Sequence, residues 1–247
     1  MSESHPSTSR NAVVTIFDGF RAELDDHNDR RERLIKSSRD VTSLSKKVIF
    51  LLHRLMTDDV SSKPDQDDRS RALNAASRAR EKLKEIQNLF ASFSGEIQGD
   101  MFWKYHKNVS PGLQEYIEAL SFTHYLETGN LITYDQVQAS ISDDAGNPYF
   151  PLPLEDYLLG LSDLTGELMR YAISAISQHG GRTKASQVCT FVREFRAIAY
   201  AIAVRSSEYD IPPDMLDDIV SGLTSNAASG DRTRKRQRED EFDDPDE

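Results

Sequence analysis

Between Val13 and Leu55 the chain carries apolar residues at helical spacing, with no proline and no glycine after Gly19: Val13, Ile16, Phe17, Phe20, Leu24, Leu34, Val41, Val48, Leu52 and Leu55. Steps that sum to threes and fours put these side chains on one face of an α-helix. Some 40 residues at ~1.5 Å per residue make a rod of about 60 Å. A single helix of that length is stable only where other helices cover its stripe, so this feature alone points to an elongated helical bundle with a shared interface. With only 12 glycines and 9 prolines in 247 residues, glycine-punctuated sheet and collagenous architectures are disfavoured.

The rest of the chain reads the same way. A polar break at Asp58–Asp68, containing Pro64, precedes a second helical stripe over Arg69–Phe93. Ser110 and Pro111 suit the cap and first position of a new helix running to Gly129, or a kink within a longer one. Thr133 and Gln136 have capping-box spacing for a short helix that ends near Ile141. Ser142–Pro153 reads as a turn-rich link. Further helices are predicted from Leu154 to about Ser177, from Ala185 to Ser206 and from Pro212 to Leu223. The expected class is all-α, a bundle of about seven helices over residues 13–224. Residues 1–12 are read as a flexible terminus and residues 225–247 as a disordered tail, because 232–238 holds five basic residues and 239–247 seven acidic ones with almost nothing apolar to bury.

Composition narrows the function. One cysteine, Cys189, permits no internal disulfide and no C-x-x-C zinc site. The longest apolar run, Ala197–Val204, is eight residues, against about 20 for a membrane span, and Met1–Asn11 has no export pattern. A soluble intracellular protein is expected, cytoplasmic and, if the basic run Arg232–Arg238 acts as an import signal, nuclear too. The formal net charge of −11 opposes simple electrostatic binding of a polyanion, so nucleic-acid affinity would need local patches or a basic partner. Two patches qualify. Arg30, Arg31, Arg33, Lys36 and Arg39 form a basic stretch in the first helix, and Trp103, Lys104, Tyr105, His106 and Lys107 interleave aromatic rings with cations.

Two carboxylate pairs stand out. Glu115 and Glu118, three apart, share a stripe with Ala119, Phe122 and Leu126, while Leu113, Ile117 and Leu120 make the opposite face apolar as well. Carboxylates on a helix buried on two sides need a cation nearby. Asp163 and Glu167 are four apart on a later helix, but their face also holds Asp156, Gly160, Arg170 and Ser174, and on spacing alone it reads as the solvated side of an amphipathic helix. If the two helices face each other, four hard oxygen donors without histidine or cysteine select Mg²⁺ or Mn²⁺. No P-loop, nucleophile elbow or H-E-x-x-H motif competes.

The segments Arg39–Arg54, Ser110–Phe122 and Asp156–Arg170 together resemble the translin family, and specifically its acid-bearing factor X branch. The resemblance spans about Phe17–Leu223. It implies a translin-like fold, a hetero-oligomeric shell formed with translin, and Mg²⁺-dependent endoribonuclease activity on single-stranded RNA, with DNA as a further candidate ligand. The implied substrates are passenger-strand fragments in RNA silencing or transfer-RNA precursor fragments. The family's catalytic acids fall on Glu115 and Glu118 of Gln114-Glu115-x-x-Glu118 and on Asp163 and Glu167 of Asp163-Leu-Thr-Gly-Glu167. Glu115, Glu118 and Asp163 are expected to hold the ion, with Glu167 completing the site or orienting water. The candidate RNA contacts are Arg30, Arg31, Arg39, Lys104, Tyr105 and His106. The rival expectation is a non-enzymatic subunit that stabilises translin.

Overall fold

The computed structural model describes the backbone of residues 7–62, 68–176, 182–183, 185–193 and 195, with side-chain surroundings from 13 to 57 and from 68 onward. Five α-helices follow in order: α1 (Ser7–Ser62), α2 (Asp68–Phe93), α3 (Asp100–Thr128), α4 (Tyr134–Ser140) and α5 (Leu154–Ile176), with a 3₁₀ turn at Ser94–Ile97 joining α2 to α3. Residues 185–193 are also helical. Among the described residues the only extended pairing is an isolated bridge, Ser142 with Pro148. The rest of the predicted 185–206 helix, the 212–223 helix and the charged tail lie outside the described residues. Chain contacts divide the molecule into two units, Met1–Leu164 and Thr165–Glu247.

In the first unit α1 and α3 run parallel, which successive contacts along both helices establish. The His27 ring lies 5.2 Å from that of Tyr105, Ser38 meets Val109 and Gly112, Lys46 meets Glu115, and His53 lies 5.0 Å from Phe122. α2 runs antiparallel to α3: Gln87 donates to the Tyr116 hydroxyl at 3.0 Å, Arg80 grips Glu127, and Arg69 donates to the carbonyls of Leu126 and Glu127. The α1 stripe Leu34, Val41, Val48 and Leu52 is fully buried, as are Ala76, Ala79, Leu83, Ile86 and Phe90 of α2 and Leu113, Tyr116, Ile117 and Leu120 of α3. Close approach between α1 and α3 depends on Gly112, where a Cβ would fall 2.7 Å from the Ser38 carbonyl oxygen.

α3 is one continuous helix with Pro111 inside it, not a helix restarting at Ser110. An interior proline costs about 3 kcal/mol. Here Val109 and Leu113 on either side are fully buried while Pro111 faces solvent, so burial of the flanking turns outweighs the lost hydrogen bond. The Thr133–Gln136 capping box is present in both directions. In the second unit Leu168, Tyr171, Ala172 and Ala175 of α5 are buried at helical spacing, as are Ala185, Val188, Val192 and Phe195.

Candidate metal centre

The helical phase of α3 is set by its contacts. Gly112, Glu115 and Phe122 meet α1; Ser110, Gln114 and Ile117 meet α5. Glu118 falls between these two stripes, half-buried. Glu115 is also half-buried, and its Oε1 lies 3.1 Å from the Lys46 ammonium of α1. Lys46 is thus a cation that burial of this carboxylate calls for, and nothing in its sequence neighbourhood distinguishes it from Lys47.

The α5 acids are positioned by what precedes them. Asp156 has 1% of its surface exposed and draws in three α3 side chains. Ser110 Oγ donates to Oδ1 at 2.5 Å, Gln114 Nε2 donates to the same oxygen at 2.7 Å, and His106 Nε2 lies 2.6 Å from Oδ2. One turn later Gly160 lies against α3, where a Cβ would fall 2.7 Å from Ile117 Cβ and Cγ2 and 2.9 Å from the Gln114 carbonyl oxygen. The helices are parallel here, and with Gly160 opposite Ile117, Asp163 comes level with Leu120. Glu118 is two residues back, ~3 Å along the axis. Asp163 is exposed; Glu167 is half-buried and has Arg170 at 4.0 Å. The reading of the whole 156–170 face as solvated is therefore corrected at Asp156 and Gly160, which are buried against α3.

Among the described residues no group of three or more His, Cys, Asp or Glu side chains is gathered so as to hold a metal ion. The donor chemistry nevertheless suits a hard dication, because Mg²⁺ keeps several waters and is typically held by one or two carboxylates. Glu118 and Asp163 are the pair that the helix register leaves about 3 Å apart along the axes. Glu115 would have to exchange Lys46 for the ion.

The basic patches divide. Tyr105 is buried beneath His27, so the expectation that it stacks on a base is corrected. His106 is held by Asp156. Arg30 donates to the Glu96 carbonyl at 3.1 Å and lies 3.7 Å from Asp26, and Arg33 makes a forked pair with the Glu96 carboxylate. Both arginines thus tie α1 to the 3₁₀ turn, and this rather than RNA contact is their visible role. Arg31, Arg39 and Lys104 remain exposed, and next to Lys104 in sequence the Trp103 ring is 60% exposed. No described helix is long and apolar enough to cross a membrane.

Comparison with known proteins supplies the lineage. The translin family profile matches residues 29–209. Translin-associated protein X of Rattus norvegicus is 31% identical over 90% of this chain and 88% of its own length; the Schizosaccharomyces pombe homolog is 30% identical over 74% and 69%. Mouse translin is 24% identical over 74% of this chain and 77% of its own. A solved structure described as apo-NeC3PO has the same fold, with a TM-score of 0.52 at 18% identity over 84% of this chain and 92% of that one. Profile, relatives and helical architecture agree, and the chain belongs to the translin family.

Proposed function

We propose that this chain is the catalytic subunit of a hetero-oligomer with translin that hydrolyses single-stranded RNA, using Mg²⁺ or Mn²⁺. The observation that supports the reading is the register between α3 and α5: with Gly160 packed on Ile117, Glu118 and Asp163 fall about 3 Å apart along the helix axes. A hard dication held there would neutralise charge developing on the phosphodiester and acidify water. Glu118 and Asp163 would hold the ion, Glu115 would serve as a further ligand in place of its pairing with Lys46, and Glu167 would complete the site or orient the attacking water. Arg31, Arg39, Lys104 and Trp103 are the groups open to an RNA strand. The net charge of −11 assigns much of the RNA affinity to the partner. Passenger-strand fragments and transfer-RNA precursor fragments are the substrates this reading favours, in cytoplasm and nucleus.

The test is cleavage of an end-labelled single-stranded RNA by the complex reconstituted with translin. Glu118→Ala or Asp163→Ala should abolish Mg²⁺-dependent cleavage and leave the mass of the complex unchanged; full activity in either variant would refute the assignment. A second reading, a non-enzymatic subunit that stabilises translin, is favoured by the Lys46–Glu115 pair, which satisfies one acid without any metal. That reading expects no cleavage from the unsubstituted complex.

A further inference from the structure

Between its contacts with α1 and its contacts with α5, α3 leaves one side open. Lys104, Lys107, Pro111, Glu115 and Glu118 follow one another in steps of three and four, so they share that side. The first three are exposed and the two acids half-buried. Charge divides this ridge. The acids occupy its C-terminal end, and from Met101 to Gln114 α3 holds no acid at all. α1 extends the basic part. Lys46 reaches Glu115 from one flank of α1, and Arg39, seven residues earlier, shares that flank and borders the ridge ~10 Å before Lys46. The first acids beyond are Glu32, another seven residues back on α1, and Asp100.

These cations differ from their neighbours. Arg30, Arg33 and Lys46 are engaged with Asp26, Glu96 and Glu115, whereas among the described residues Arg39, Lys104 and Lys107 have no acidic partner. One turn before Lys107 the Trp103 ring is 60% exposed and braced by the near-perpendicular rings of Phe102 at 5.2 Å and His106 at 6.0 Å. A braced indole open to solvent is a platform for a base, and cations spaced along the same side take phosphates. Only a single strand has unstacked bases to offer. We infer that a single-stranded RNA engaged at Glu115 and Glu118 runs from there towards the N-terminus of α3, with phosphates on Arg39, Lys107 and Lys104 and a base on Trp103. This deepens the function proposed above and rests on it. Its consequence is a length requirement. Trp103 lies 12 and 15 residues before the two acids, ~18–22 Å along the axis. That span takes about five or six nucleotides of a stacked strand at ~3.4 Å each, and fewer of an extended one. Because the track leaves the acids in one direction, the requirement falls on one flank of the cleaved bond.

The experiment uses the full chain in complex with translin and two series of end-labelled RNAs, one shortened on the 5′ flank of a chosen bond and one on the 3′ flank. Cleavage of that bond is read as kcat/KM at each length. One series should lose about tenfold once its flank no longer reaches Trp103, and the other should show no such step. Trp103→Ala and Lys107→Glu should each cut the advantage of long RNA over short, while Trp103→Phe and Lys107→Arg should restore most of it. Annealing a short complement over the flank that shows the step should remove the Trp103 contribution. Equal losses on long and short RNAs in Trp103→Ala and Lys107→Glu would show a merely structural role and overturn the inference. Cleavage indifferent to the length of both flanks would overturn the track while leaving the nuclease intact. Absence of cleavage by the unsubstituted complex would overturn the nuclease reading and the track with it.

Discussion

Lys46 on α1 places its ammonium 3.1 Å from the Glu115 carboxylate on α3. The lysine is mostly exposed, so the pair contributes little to stability, within about 1 kcal/mol. Its consequence is local: a cation already sits on one of the acids assigned to the dication. Lys46→Met should leave the denaturation midpoint nearly unchanged and lower the Mg²⁺ concentration needed for half-maximal RNA cleavage by the translin complex. An increased Mg²⁺ requirement would place Lys46 on the substrate instead.

The approach of α5 to α3 depends on a missing side chain. Gly160→Ala would push a Cβ to 2.7 Å from Ile117, and overpacking of this kind costs about 1–3 kcal/mol. Gly166, on the same helix, has nothing within 4 Å of its would-be Cβ, so Gly166→Ala should instead stabilise by up to about 1 kcal/mol through helix propensity. Chemical denaturation of the two variants side by side checks the opposite signs.

Asp156 accepts from Ser110 and Gln114 and pairs with His106 while fully buried. Asp156→Ala strands those α3 groups and should destabilise the chain by about 1–3 kcal/mol. Asp156→Asn keeps the shape and should lose less. Because this cluster also sets the register of Asp163, Asp156→Ala should weaken Mg²⁺-dependent activity more than its loss of stability explains, measured well below the melting transition.

Burial pushes the His124 imidazole below its ordinary pKa; Arg80 adds to the effect and Glu127 opposes it. The unfolded chain then binds the proton more readily than the folded one. This contribution to stability is whole above the unfolded pKa of about 6.5 and is lost as the pH falls through the folded value. Denaturation midpoints measured from pH 7.5 down to pH 5 should fall less steeply in His124→Gln than in the unsubstituted chain; parallel slopes would rule the histidine out as a source.

What could be read from sequence was whatever has a period or a local rule. The α1 stripe, the helices at Asp68–Phe93 and Leu154–Ile176 and the Thr133–Gln136 box all announce themselves within a few turns of chain. The misreadings share one cause, which is that burial depends on a neighbour distant in sequence. Pro111 looks like a helix start until the packing of Val109 and Leu113 is known. Asp156 looks solvated until α3 is laid against it, and Tyr105 looks available for stacking until His27 covers it. Arg30 and Arg33 look like an RNA patch until the turn at Glu96 arrives beneath them. The four acids were legible as residue types at helical spacing, but Lys46 as the partner of Glu115 was not, because the pairing exists only once α1 and α3 lie parallel.

The central claim is that Glu118 and Asp163 act on one and the same dication. Mn²⁺ binding to the translin complex, followed by electron paramagnetic resonance, tests it most directly in a double-mutant cycle. Glu118→Gln and Asp163→Asn should each weaken binding by about tenfold or more, and the double variant should bind scarcely more weakly than either single one, the non-additivity expected of two ligands on one ion. Undiminished Mn²⁺ binding in both single variants, or losses that simply add, would contradict the account.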